Sequence, residues 1–91
     1  MLDLVNKLIK QHNMQVGSAV AQQIADAMAQ FPDMLFTANP RAINNNGYAR
    51  AAFHGTTGFR HGKCVDIVVY TNDHNKPAKL VITTNNGRTG K

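Results

Sequence analysis

The sequence predicts an α+β domain in which two N-terminal helices pack on one face of a three- or four-stranded antiparallel meander. Two observations carry that expectation. Apolar residues recur at helical spacing as far as Phe31, and they alternate with polar ones from Tyr48 onward. Short polar stretches rich in Asn, Gly and Pro then separate the alternating runs at hairpin distances. The 91 residues suit one domain spanning 1–91, with a helical part over 1–31, a sheet over 48–84 and a loose tail over 85–91.

Each element has its own signal. Leu4, Val5, Leu8 and Ile9 share a helical face, with Asp3 as the expected cap and an end near Gln11 to Asn13. Gly17-Ser18 opens a second helix whose apolar face is Val20, Ile24, Ala27, Met28 and Phe31, and Pro32 stops it. Its outward set, Gln22, Gln23, Ala25, Asp26, Ala29 and Gln30, is almost uncharged. Met34 to Thr37 reads as an edge strand or a core plug. Thr37 to Gly47 reads as a loop because of Asn39-Pro40 and the run Asn44-Asn45-Asn46-Gly47. Tyr48–His54, Cys64–Thr71 and Ala78–Thr84 read as strands, with Pro77 at the entry of the last.

Composition narrows the chemistry. The chain has no glutamate and five aspartates, so multi-carboxylate magnesium sites are not expected and acid–base work falls to histidine, lysine, tyrosine or aspartate. No paired Cys or His spacing suggests zinc, and no phosphate-cradling P-loop is present, so no metal or cofactor is expected. The single cysteine, Cys64, excludes an intrachain disulfide framework and favours an intracellular, cytoplasmic setting. Neither a secretory leader nor an apolar run of roughly 18 residues is seen, so no membrane is expected as partner.

Charge divides unevenly. Residues 1–39 carry a balance of −1, whereas residues 40–91 carry +6, from Arg41, Arg50, Arg60, Lys63, Lys76, Lys79, Arg88 and Lys91 against Asp66 and Asp73. A basic half on so small a domain is the footprint expected of a polyanion binder. The densest stretch is Phe53 to Lys63, which holds two histidines, an arginine, a lysine and three glycines without an acid.

Strand alternation assigns faces. Ala49, Ala51 and Phe53, then Val65, Ile67 and Val69, then Leu80 and Ile82 are the core rows. Arg50, His54, Asp66, Tyr70, Lys79 and Thr83 gather on the opposite surface, with Arg60, His61 and Lys63 in a loop at its edge. Such a surface suits nucleic acid, RNA or single strands above all, with Arg50, His54, Arg60, His61, Lys63, Tyr70 and Lys79 as the contact set. The same residues permit a second function, metal-independent ribonuclease chemistry of a toxin type. There His54 and His61 would be the acid–base pair, Lys79 would stabilise charge, and Asp66 would orient His54.

Thr56-Thr57-Gly58-Phe59-Arg60, followed by Asn72-Asp73-His74, resembles the closing part of barnase-type microbial ribonucleases over about twenty residues. The resemblance implies a phosphate-binding role for Arg60 and a general-acid role for His74. The catalytic glutamate of that family has no counterpart. A third function class is a protein-binding inhibitor or accessory factor of the kind a phage or mobile element encodes. It would use the neutral face of residues 18–31 for a protein partner or for self-association.

Overall fold

A computed structural model describes residues 1–45, 48–58, 62–71 and 77–85. Its elements in chain order are α1 (Leu2–Gln11), α2 (Ser18–Met28), β1 (Leu35–Ala38), α3 (Pro40–Asn45), β2 (Ala49–Thr56), β3 (Cys64–Tyr70) and β4 (Lys79–Asn85). The four strands form one antiparallel sheet in the order β1-β2-β3-β4. The α+β meander is therefore four-stranded. No helix among the described residues is long and apolar enough to cross a membrane.

One cluster of buried side chains joins the helices to the sheet. It takes Val5 and Leu8 from α1, Val20, Ile24 and Met28 from α2, and Phe36, Phe53, Val65, Ile67 and Val69 from the strands. Those from β2 and β3 are alternate residues that the expected register assigns to the core; Ala49, also expected there, is buried but stands outside the cluster because the bulge pairs it with Tyr70. The register repeats this: Phe53 faces Ile67, which faces Ile82, and Ala51 faces Val69, which faces Leu80. Ile82 lies in a core row yet remains 39% exposed, because β4 is the outer strand and its far half is poorly covered.

Several local expectations are corrected. α1 begins at Leu2 with Met1 at its N-cap, so Asp3 sits inside the first turn, where its charge favours the positive end of the helix dipole. The stretch expected to be a loop contains the tail of β1 and all of α3. Pro40 has no amide proton to waste and takes the first helical position, while the Asn39 side chain accepts from Ala42 N–H at 3.4 Å. Of Met34 to Thr37, only Phe36 is buried, and Leu35 is 73% exposed. In the face of α2 expected to be outward, Ala25 is buried and Gln23 is engaged, so the neutral surface shrinks to Gln22, Asp26, Ala29 and Gln30.

Gln23 reaches the start of the last strand. Its Nε2 donates to the Ala78 carbonyl at 2.6 Å, and its Oε1 accepts from the Ala78 N–H at 2.9 Å. The side-chain amide thus serves Ala78 as a neighbouring peptide would. β4 begins after it at Lys79 rather than at Pro77. The expected hairpin loop over 72–76 and the tail over 86–91 lie outside the described residues.

Candidate nucleic-acid interface

The surface opposite the core is built by register alone. Crossing the four strands, Thr37 faces His54, His54 faces Asp66 and Asp66 faces Thr83. A second row runs from Ala52 to Val68 to Val81, and a third pairs Tyr70 with Lys79. None of these residues belongs to the buried core cluster. Lys79, Val81, Thr83, Thr37 and Leu35 are exposed, and His54, Asp66, Val68 and Tyr70 are half-buried. The small residues Ala52 and Cys64 on this side are buried.

At the centre of this face His54 Nδ1 lies 2.8 Å from Asp66 Oδ1. With the carboxylate oxygen accepting, Nδ1 carries the proton, and in the neutral tautomer Nε2 is the acceptor. Both side chains are over a third exposed, at 37% and 42%. Solvent screens such a pair, and its contribution to stability is small. Its main consequence is to hold the ring and its tautomer on the open face.

The remaining expected residues spread out. Lys79 stands four residues along β4 from Thr83 and two strands from β2, which puts its backbone about 16 Å from that of His54. Lys63 is at the opposite end of β3 from Tyr70, exposed, with its carbonyl accepting from Thr57 N–H at 3.2 Å. That bond extends the β2–β3 hairpin one step past the strands. Gly58 follows with a φ of 85°, a left-handed turn position that its missing side chain permits, and its N–H is held by Thr56 Oγ1 at 3.1 Å. Arg60 and His61, expected in this loop, lie outside the described residues, as does His74.

Arg50 departs from simple alternation. The β2–β3 register slips between Ala49 and Ala51, so Arg50 is the extra residue of a β-bulge. It does not stand in a paired row with His54 and Lys79. Thr37 is the neighbour of His54 that sequence reasoning missed. Once Met34–Thr37 is taken as a strand, alternation puts Leu35 and Thr37 on the outer side.

Among the described residues, no three His, Cys, Asp or Glu side chains cluster as metal ligands. Compared with known proteins, the chain matches no family model, no curated protein and no solved structure.

Proposed function

We propose that this chain is a small nucleic-acid-binding module that holds a single strand, RNA in preference, across the open face of its sheet. The observation that carries the reading is the layout of that face. Among the described residues a cation, an imidazole and an aromatic ring occupy one side of the sheet, spaced along it rather than converging. His54 and the Tyr70–Lys79 pair succeed one another along that side, whereas Lys63 has the strand parity of Val65 and borders Phe31 to Met34 on the helix side. Groups some 16 Å apart suit separate nucleotides along a strand better than one reacting phosphate. Tyr70 beside Lys79 offers a ring on which a base can stack, and stacking tolerates any base sequence. Arg60 and His61 join this contact set from the loop by their place in the sequence.

Salt dependence tests the reading. For single strands the logarithm of the binding constant falls with the logarithm of salt by about 0.7 per phosphate neutralised. Lys79→Ala is expected to reduce that slope by about 0.7. Binding to an oligonucleotide that ignores salt would remove the proposal.

The hydrogen bond between His54 and Asp66 favours a second reading, ribonuclease chemistry without metal. A histidine whose Nδ1 is held by a carboxylate presents Nε2 as a general base toward a 2′-hydroxyl. RNA incubated with the protein in chelator is then cleaved, and His54→Ala abolishes the cleavage. Intact RNA after prolonged incubation with folded protein leaves binding alone.

A further inference from the structure

The end of the sheet that carries Tyr70 and Lys79 adjoins a recess that the open face does not use. It has a volume of about 220 Å³ and lies among the segment after α1, α3 and the bulged start of β2. Met14 and Ile43 supply its apolar lining, and His12, Asn13, Gln15 and Arg50 supply its polar groups. No aspartate is among the described residues that line it, and the chain has no glutamate.

Arg50 is the unusual member. It is half-buried at the bulge, and none of the described residues offers its guanidinium a carboxylate or a hydrogen-bond acceptor. Its five fixed N–H donors have no acceptor among the described residues and remain open to solvent at the recess, where an anion can engage them. The recess wall is held in place from both sides. Gln15 N–H donates to the Arg50 carbonyl at 3.3 Å, and the Gln15 side-chain amide donates to the Asn13 carbonyl at 3.3 Å. Asn13 turns the chain there with a φ of 51°. A bulge commonly redirects a side chain beside a site.

We propose that this recess binds a phosphate monoester, the phosphorylated end of the strand that crosses the sheet face. The inference rests on the nucleic-acid reading for the identity of the ligand, and on Arg50 and His12 for its chemistry. Volume limits the occupant. Ligand pockets for whole small molecules run from about 300 to 1,000 Å³, so this recess takes a group rather than a nucleotide. Charge selects the end of the strand over its interior. A monoester carries close to two negative charges at neutral pH, against one for an internal diester, and it faces Arg50 and His12 together. Position agrees, because Ala49, next to the bulge, is paired with Tyr70, which is paired with Lys79. A strand that crosses from Lys79 over Tyr70 toward β2 therefore reaches the recess with its terminus.

Fluorescence anisotropy with internally labelled single strands of one sequence, ending in a 5′-phosphate, a 3′-phosphate or only hydroxyls, tests this. One phosphorylated end is expected to bind about tenfold more tightly than the hydroxyl-ended strand. That difference should vanish in Arg50→Gln and in His12→Gln, whatever happens to the affinity common to all strands. Equal binding of all three strands to the unaltered protein overturns the recess and leaves the sheet-face reading intact. So does a preference that survives both substitutions. If no strand binds, inorganic phosphate becomes the probe, read by chemical shifts of the His12 ring and Arg50 guanidinium. Saturable shifts then support the recess apart from the nucleic-acid reading, and unmoved resonances overturn it.

Discussion

Gly55 shows how tightly a single position can be specified. It pairs with Phe36 across β1 and β2, and a Cβ placed on it would stand 2.5 Å from Phe36 Cε1. Phe36 is 5% exposed and part of the core, so its ring has nowhere to retreat without moving its neighbours. Gly55→Ala is expected to cost about 1–3 kcal/mol by overpacking, read as a lower denaturant midpoint with an unchanged slope. In the sequence Gly55 follows the strand expected over Tyr48–His54. Its actual constraint comes from a ring nineteen positions earlier, which no local pattern reveals. His54 is the opposite case. Alternation alone put it on the outer face beside Asp66, because both strands flank one short hairpin and the hairpin sets their register.

At the level of elements, what strand periodicity could express was readable, and what depends on exceptions to it was not. Val65, Ile67 and Val69 declare β3 and its core side through β-branched alternation. α3 was hidden because proline and asparagine announce turns and helix starts with the same letters. The bulge at Arg50 was hidden because alternation assumes that every residue is paired. That single unpaired residue separates Arg50 from His54 and turns an expected member of the face into a wall of the recess. The contact between α2 and the start of β4 was equally unreadable, since Gln23 looks like any exposed glutamine on a helix. Replacing it with leucine keeps its size and leaves the Ala78 N–H and carbonyl without partners. Gln23→Leu is expected to cost about 1–3 kcal/mol, seen as a lower melting temperature together with faster hydrogen exchange at Ala78.

Across the whole molecule, charge and architecture point the same way. Residues 1–39, with both long helices, hold a balance of −1, while residues 40–91, with the three long strands, hold +6. An oligonucleotide laid on the outer face would therefore be attracted by the half of the molecule it touches. The salt slope measures how many of those cations meet phosphate. The apolar residues Val68, Val81 and Leu35 on the same face argue for bases lying against the sheet as well as phosphates along it.

The grip of Gln23 on Ala78 also bears on how the chain reaches this state. The two residues are separated by 55 positions, whereas each strand pairs with its neighbour across a much shorter span. Closing a long loop costs entropy before the contact returns anything. The hairpins are therefore expected to zip locally before Gln23 closes onto Ala78. Gln23 then acts as a late latch, and its loss should raise the unfolding rate more than it slows folding.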